Sequence, residues 1–253
     1  MGRIIALANQ KGGVGKTTSA VNIAASLGVL GNKVLLVDLD PQGSATSSLG
    51  IAKKTLRYTI ADVLIGGCRT ADAILTTSFR GLEVLPANIA LAATEYDLLE
   101  GEGAESHLRN ALAPLKLDYD YIILDCPPSL GMLTVNAMVA ADGVVIPMQC
   151  EFFALEGLTQ LMMTIQRMKK RYKPNLMVVG ILVTMYNGRL TLSSQVMDEL
   201  KKHYRDRVFD TTISRNVKLS EAPGFGMPVY YHDKSAKGAK EYLKAASELI
   251  DRI

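Results

Sequence analysis

The sequence has few cysteines and no segment of the kind that a secretory leader or a membrane span requires. Its three cysteines, Cys68, Cys126 and Cys150, lie far apart and form no C-x-x-C pair. This spacing argues against a zinc site or a disulfide framework, so we expect all three to be core residues. The amino terminus enters a predicted strand without a long apolar run, and we therefore expect a cytoplasmic protein.

A strong net charge of either sign is also missing. The 28 Lys and Arg residues only slightly exceed the 25 Asp and Glu residues, so any affinity for nucleic acid or anionic lipid requires local clusters of charge. No low-complexity tract or internal repeat interrupts the chain, and 48% of its residues are apolar, which is typical of an ordered globular protein. For 253 residues, we predict a single domain over 1–253.

Short apolar runs alternate with longer stretches of helical character, and this alternation predicts the fold class. The runs lie at 4–8, 34–37, 121–124, 144–146 and 177–183. Strands that are apolar on both faces belong in parallel sheets covered by helices. Crossover helices are predicted at 17–30, 131–141, 155–172 and 192–203. The sequence therefore predicts a doubly wound, mostly parallel α/β sheet with helices on both faces.

Two further segments carry weaker signals. Residues 51–80 lack strong periodicity and contain Gly66-Gly67, which predicts short helices over one edge of the sheet. The stretch from Ser235 to Ile253 places apolar residues at helical spacing, which predicts a helix docked on the core.

A glycine loop (residues 10–18) lies between the first predicted strand and the first predicted helix. It contains the nucleotide-binding candidates Lys11, Gly12, Gly13, Val14, Gly15, Lys16, Thr17 and Thr18. Strand, glycine loop and helix is the arrangement in which backbone N–H groups surround phosphate oxygens. The first glycine of the usual phosphate-loop pattern is replaced by Gln10. We predict that the loop binds Mg·ATP, with Lys16 on the β- and γ-phosphates and Thr17 on Mg²⁺.

Two carboxylate segments are expected at the same edge of the sheet as the glycine loop. Asp38 and Asp40 follow the second predicted strand, and Asp125 follows a later one; ligands in such sheets bind beyond the carboxyl ends of the strands. We expect Asp125 to hold Mg²⁺ through a water molecule and Asp38 to support the water shell of the ion. Asp40 is the candidate for orienting the attacking water.

Taken together, these motifs resemble those of the ParA/Soj chromosome- and plasmid-partition ATPases, which are P-loop NTPases with a deviant phosphate loop. The likeness rests on the segments 11–18, 38–43 and 125–131, and it continues through 149–158, 184–189 and 213–223. It implies slow ATP hydrolysis by a cytoplasmic, nucleoid-associated protein. It also implies an ATP-dependent homodimer that binds double-stranded DNA without sequence preference, and stimulation by a ParB/Spo0J-like partner.

The resemblance also implies roles for individual residues. Lys11, Lys16 and Asp40 would be the catalytic residues. Of these, Lys11 would reach the phosphates of the partner subunit. It would neutralise two triphosphates that face each other, and Gly12 would have to stay small to let the two loops approach. Asn187 is expected near the adenine edge, where many relatives carry Asp, and Pro223 is expected to line the base.

For DNA, a basic surface directed at phosphates is required. The candidates are Arg189, Arg215 and Lys218, which follow strand ends in the matching motifs; Lys201, Lys202, Arg205 and Arg207 cluster nearby. No interleaving of aromatic residues supports stacking on single strands.

Two other classes of protein share a similar nucleotide loop. A MinD-like membrane switch needs a basic amphipathic helix at its carboxyl terminus, and here that helix mixes acidic and basic residues. We therefore expect no membrane binding. A metabolic P-loop ligase, or a reductase related to the nitrogenase iron protein, is the other alternative; Cys126 and Cys150 do not stand in the settings expected of cluster ligands.

Overall fold

The computed structural model describes residues 1–99 and 103–253. Its strands are β1 (Arg3–Leu7), β2 (Val34–Asp38), β3 (Leu75–Thr76), β4 (Leu82–Leu85), β5 (Tyr121–Asp125), β6 (Gly143–Gln149) and β7 (Met177–Thr184). They form one sheet in the order β3-β4-β2-β5-β1-β6-β7. All neighbouring strands are parallel except β3 and β4. The predicted doubly wound, mostly parallel sheet is therefore confirmed.

The helices cover both faces of this sheet. They are α1 (Lys16–Val29), α2 (Ser44–Ser48), α3 (Ile60–Leu64), α4 (Thr70–Ala73), α5 (Ala90–Leu99), α6 (His107–Leu112), α7 (Met132–Ala140), α8 (Ala154–Arg171), α9 (Thr191–Tyr204), α10 (Val217–Glu221), α11 (Val229–His232) and α12 (Lys237–Asp251). The four predicted crossover helices correspond to α1, α7, α8 and α9, each within a residue or two at its ends.

Apolar side chains alternate between two cores along the central strands. In β1, Ile4 and Ala6 pack into the core under α3, α5, α7 and α8, whereas Ile5 and Leu7 pack into the core under α1 and α12. Burial on both sides explains why these strands are continuous apolar runs. In the sheet β1 lies between β5 and β6, so the loop following β1 emerges within the carboxyl edge and not at an end of the sheet.

The regions outside the central strands differ in part from the expectations. Residues 51–80 do contain short helices, α3 and α4, but β3 and β4 were not predicted. The carboxyl-terminal helix α12 packs on α1 as expected, with Tyr242 almost completely buried and its hydroxyl 3.0 Å from the Ser19 hydroxyl. Of the three cysteines only Cys126 is buried in the core; Cys68 and Cys150 are half-buried at its margin, so the expectation was wrong for these two.

Candidate functional site

The site lies at the carboxyl edge of the sheet, where β1, β2 and β5 end side by side. The register pairs Leu7 with Asp125 and Asp38 with Asp125. The glycine loop after β1, the Asp38 loop (residues 38–46) and the Asp125 loop (residues 125–131) therefore meet in one place. This convergence was expected from the parallel order of the strands.

The glycine loop takes a backbone path that depends on glycine. Gly13 and Gly15 have φ angles of 73° and 81°, in the left-handed region that residues with a Cβ rarely adopt. Gly15 is also the N-cap of α1 and supplies no side-chain cap. The first N–H groups of α1 consequently face the loop without a partner from a capping side chain, which favours an anion there.

Side chains from three neighbouring strands hold the loop in this path. Asn9 donates from Nδ2 to the Pro147 carbonyl at 2.8 Å. Gln149, at the end of β6, donates to the Gly13 carbonyl at 2.7 Å, and Thr184, at the end of β7, donates to the Val14 carbonyl at 2.7 Å. Neither Gln149 nor Thr184 is among the site residues that the motifs predict. Their only sequence signal is their position at the carboxyl ends of strands.

Lys16 lies buried at the centre of the glycine loop. Its Nζ donates to the Lys11 carbonyl at 2.9 Å. Burial lowers the pKa of Lys16, whereas the neighbouring carboxylate of Asp125 opposes this shift. The ammonium group is thus held across the mouth of the loop, close to where phosphate oxygens would meet the N–H groups of α1.

Asp125 is the least satisfied polar side chain of the site. It is completely buried, and neither of its carboxylate oxygens has a hydrogen-bond partner among the described residues. Burial and the adjacent Asp38 raise the pKa of Asp125 well above its ordinary value, while Thr17 and Lys16 act in the opposite direction. A buried carboxylate without a partner is costly, and a cation or its bound water would satisfy it.

Asp38 differs from Asp125 because its oxygens already accept hydrogen bonds from this chain. Its Oδ2 accepts from the backbone N–H of Thr46 at 2.8 Å and from the Thr46 hydroxyl at 2.7 Å. Its Oδ1 accepts from the Asp40 N–H at 3.2 Å. Burial raises the pKa of Asp38. Through these contacts Asp38 holds the Asp38 loop closed. Its role in supporting the water shell of Mg²⁺ stays a prediction.

Asp40 lies in a more open position. Its Oδ1 accepts from the Gln42 N–H at 2.9 Å, and its side chain is half-buried. A cavity of about 370 Å³ brings Asp40 together with most of the glycine loop and with Pro128 of the Asp125 loop; from the glycine loop it is lined by Gly12, Gly13, Gly15, Lys16, Thr17 and Thr18. We call this space the loop cavity.

The two residues expected to contact the adenine base line two different cavities. Pro223 lines a cavity of about 440 Å³, the Pro223 cavity, which reaches Gly15 and Thr18 of the glycine loop. Asn187 lines a separate cavity of about 850 Å³, and its Oδ1 accepts from the Arg189 N–H at 3.1 Å. Thus Pro223, but not Asn187, shares a cavity with the glycine loop.

Lys11 stands at the exposed tip of the glycine loop and forms an ion pair with Glu151, just beyond β6. Both side chains are partly exposed to solvent. Gly12, the next residue, has open space where a Cβ would stand. Within one chain, therefore, nothing requires residue 12 to be small.

Two of the three candidate DNA residues line one cavity, and the third does not line it. Arg189 and Arg215 line the same 850 Å³ cavity as Asn187. Arg215 also lines the Pro223 cavity, where it lies beside Met185. Lys218 is on α10 and pairs with Glu221 at 2.8 Å, a contact that raises the pKa of this lysine.

Magnesium fits the side chains that the loop cavity provides. No group of three or more His, Cys, Asp or Glu residues is arranged as a metal cage in residues 1–99 and 103–253. Mg²⁺ commonly keeps several waters and takes only one or two protein ligands together with phosphate oxygens. The unpartnered carboxylate of Asp125, next to Thr17, is suited to that mode of binding.

In the parts of the chain that are described, no helix has the length and apolar character to cross a membrane. The apolar face of α12 is covered by α1, with Ala245, Ala246 and Leu249 completely buried.

Comparison with known proteins gives long and consistent matches. A family model described as an AAA domain matches residues 2–178. The chain is 50% identical to the sporulation initiation inhibitor protein Soj of Bacillus subtilis, and the match covers 98% of each protein. It is 48% identical to the chromosome partitioning protein ParA of Caulobacter vibrioides, over 99% of this chain and 94% of that protein.

A solved structure with a similar fold has a different name. It is a cobyrinic acid a,c-diamide synthase from Mycobacterium smegmatis with a bound ATP analogue and magnesium. The TM-score is 0.87 at 40% identity, and the match covers 99% of this chain and 95% of that one.

The matches to Soj and ParA extend over nearly the whole chain, including the glycine loop and both carboxylate loops. The fold agrees with that of a P-loop NTPase. The chain belongs to the ParA/Soj family of chromosome- and plasmid-partition ATPases.

Proposed function

We propose that this chain binds Mg·ATP in the loop cavity, hydrolyses it slowly, and uses the nucleotide to control dimerisation and DNA binding. The observation that carries the proposal is the buried, unpartnered carboxylate of Asp125 beside Lys16 and Thr17. A carboxylate in that state favours a hydrated cation. The ATP analogue and magnesium in the Mycobacterium smegmatis structure give independent support.

In this proposal each residue of the loop cavity has one task. Backbone N–H groups from Gly12 to Thr18 bind the phosphates, and Lys16 neutralises the β- and γ-phosphates. Thr17 contributes a hydroxyl ligand to Mg²⁺. When bound, the ion would neutralise charge that develops on the phosphates during displacement.

Two of the carboxylates bind or orient water, and the third holds the adjoining loop. Asp125 accepts hydrogen bonds from water on the ion, and Asp38 keeps the adjoining loop closed through Thr46. Asp40 orients the attacking water for in-line displacement; it lines the loop cavity together with the glycine loop.

The dimer would form when two loop cavities face each other. Lys11 would leave Glu151 and reach the phosphates of the second copy. Two facing triphosphates repel, and a lysine from each side reduces that repulsion while water is excluded. Because Glu151 is partly exposed, it is hydrated after Lys11 leaves, so the exchange costs little.

The dimer would bind double-stranded DNA through phosphate contacts of Arg189, Arg215 and Lys218. Two copies double the number of contacts and steepen the salt dependence. Arg215 also borders the Pro223 cavity, so a substitution there can alter nucleotide affinity as well. Arg189 is therefore the cleaner probe of DNA binding.

For the base, we propose that adenine occupies the Pro223 cavity, with Pro223 against the ring. Asn187 would reach the base edge from the neighbouring cavity after its contact with the Arg189 N–H is released. We further propose a single domain over 1–253, since one sheet runs from β1 to β7 and α12 closes onto α1. A cytoplasmic, nucleoid-associated location and stimulation by a ParB/Spo0J-like partner complete the proposal.

The second candidate function is a ligase, which the name of the Mycobacterium smegmatis neighbour favours. A ligase couples ATP turnover to an acceptor substrate, whereas a partition ATPase turns over ATP without one. A membrane switch receives no support, because the apolar face of α12 is covered.

The test compares retention of the purified chain on random-sequence duplex DNA and on anionic vesicles, each with ATP, ADP or no nucleotide. The proposal expects retention on DNA with ATP only, together with phosphate release in the absence of any carboxylate acceptor. Retention on vesicles would favour the membrane switch. Phosphate release that requires an acceptor and an amino donor would favour the ligase.

A further inference from the structure

Met185, the first residue after β7, has an unusual backbone conformation. Its φ angle is 50°, and in the described part of the chain it is the one residue other than glycine with a positive φ. A residue with a Cβ is disfavoured in this left-handed region. Such a conformation persists only where the surrounding structure holds it, and it is common at ligand sites.

Contacts on both sides fix the backbone of Met185. The hydroxyl of Thr184 donates to the Val14 carbonyl of the glycine loop at 2.7 Å. The N–H of Tyr186 donates to the Ile213 carbonyl at 2.9 Å. The Met185 side chain is unbranched, flexible and half-buried. A ligand that presses on Met185 would therefore move its side chain and leave its backbone in place.

The side chain of Met185 lies where three cavities meet. Of the described residues, it alone lines the loop cavity, the Pro223 cavity and the cavity of about 850 Å³. The loop cavity and the Pro223 cavity also share Gly15 and Thr18. A Cβ at Gly15 would stand 3.8 Å from the terminal methyl carbon of Met185. A ligand that fills both of these cavities consequently passes beside Met185.

On the side of the 850 Å³ cavity, Met185 contacts Arg215. The Sδ atom of Met185 lies 4.0 Å from Nη2 of Arg215. Met185, Ser214 and Arg215 line both the 850 Å³ cavity and the Pro223 cavity. Arg215 is exposed, and among the described residues it has no ion-pair partner. Without a carboxylate to fix it, this guanidinium takes its position from the side chain beside it.

We propose that Met185 is a positioning residue that transmits nucleotide occupancy of the loop cavity and the Pro223 cavity to the guanidinium of Arg215. Bound nucleotide packs against the Met185 side chain and restricts it, and Arg215 is then held ready for a DNA phosphate. A contact that is ordered in advance costs less to form. This inference rests on the proposed function, because it requires nucleotide in these two cavities and DNA at Arg215. It adds a route within one chain to the doubling of contacts in the dimer.

The test measures the affinity for fluorescent random-sequence duplex at concentrations of a non-hydrolysable ATP analogue that saturate each protein. Met185→Gly removes the whole side chain, and glycine adopts this φ without strain, so the variant should fold at least as well as the wild type. Met185→Ala removes the side chain beyond Cβ without freeing the backbone. The matched control is Met177→Ala, since Met177 is an exposed methionine at the opposite end of β7.

Met185→Gly and Met185→Ala should each lose about fivefold or more in DNA affinity, within the usual range of coupling between two sites. Met177→Ala should bind DNA like the wild type, and sedimentation with the analogue should show a dimer for the wild type and every variant. Wild-type DNA affinity in both Met185 variants would overturn the inference. A loss confined to Met185→Gly would assign the effect to the backbone, and loss of the dimer would place Met185 at the contact between copies; either result also overturns it.

A double-mutant cycle distinguishes action through Arg215 from a general structural effect. In the Arg215→Ala background, Met185→Ala should change DNA affinity by less than about twofold, because the residue that it positions is already missing. An equal loss in both backgrounds would show that Met185 acts independently of Arg215, and would refute the inference while leaving the proposed function intact. A wild-type chain that binds DNA equally with and without the analogue would contradict the proposed function and this inference with it.

Discussion

At the scale of single residues, the site is organised by the different situations of its three carboxylates. Asp38 accepts three hydrogen bonds from this chain, Asp125 accepts none from the described residues, and Asp40 is half-exposed at the cavity wall. The same residue type can therefore close a loop, attract a cation or orient water, depending on its partners. Predictions about these residues follow from that difference.

Replacement of Asp40 by Ala should abolish turnover while preserving ATP binding and dimerisation. Among the described residues, the Asp40 side chain accepts a hydrogen bond only from the Gln42 N–H in its own turn, and its proposed task concerns the attacking water alone. The measurement is phosphate release alongside nucleotide affinity, with Asp118→Ala, an exposed carboxylate beyond the opposite end of β5, as control. Normal hydrolysis by Asp40→Ala would remove the water-positioning role.

Replacement of Gly12 by Val should leave nucleotide affinity of the single chain nearly unchanged but block the dimer. Inside one chain a Cβ at residue 12 meets nothing within 4 Å, so the added side chain would clash only with the second copy of the proposed dimer. Sedimentation with a non-hydrolysable ATP analogue measures the effect. A dimer of normal stability in this variant would argue against the face-to-face arrangement of the two loops.

At the scale of elements, Thr46 of α2 joins β2 to the start of α5. Its hydroxyl donates to Asp38 and accepts from the Ala87 N–H while completely buried. Valine has nearly the same shape but would leave the Ala87 N–H without its partner and remove a donor from Asp38. Such losses cost about 1–3 kcal/mol.

The variant Thr46→Val should accordingly lower the free energy of unfolding in urea by about that amount. Thr55→Val is the matched control, since the Thr55 hydroxyl is on the surface and bonds only to the Ala52 carbonyl. Equal destabilisation by the two substitutions would show that the buried hydrogen bonds of the Thr46 hydroxyl add no more to the free energy of unfolding than a surface hydrogen bond.

The sequence predicts the central elements well, because they are long apolar runs with turn residues between them. β4 escapes such reasoning because it has four residues with Glu83 among them, and β3 has only two. Glu83 is tolerated there since its carboxylate accepts from the Tyr119 hydroxyl at 2.5 Å, a partner 36 positions away in sequence. Short strands that depend on such distant partners leave no local pattern.

The candidate site shows the same limit. The glycine loop and the carboxylates follow from local motifs, whereas the Lys11–Glu151 pair joins residues 140 positions apart. The missing partners of Asp125 are likewise a property of packing. No motif distinguishes Asp125 from Asp38 in this respect, although both end a strand with Asp.

At the scale of the whole molecule, the account requires two copies to bind DNA through phosphates. Arg189→Glu should weaken binding to duplexes of any sequence and leave ATP affinity intact. The loss of one phosphate contact should also reduce the magnitude of the slope of log affinity against log salt concentration by about 0.9. Titrations of fluorescent duplex at several salt concentrations give both quantities, with Arg109→Glu, a charge reversal at an exposed residue of α6, as the control. An unchanged slope and affinity would mean that DNA binds another face.

The central claim is that a magnesium-bound triphosphate is held by the glycine loop with the help of Asp125. Calorimetric titration of ATP into the purified chain, with and without Mg²⁺, tests it most directly when wild type and Asp125→Asn are compared. We predict that Mg²⁺ tightens ATP binding to the wild type and has little effect on the variant, which should be no less stable than the wild type without nucleotide. Absence of detectable ATP binding by the wild type, or equal magnesium dependence in both proteins, would contradict the account.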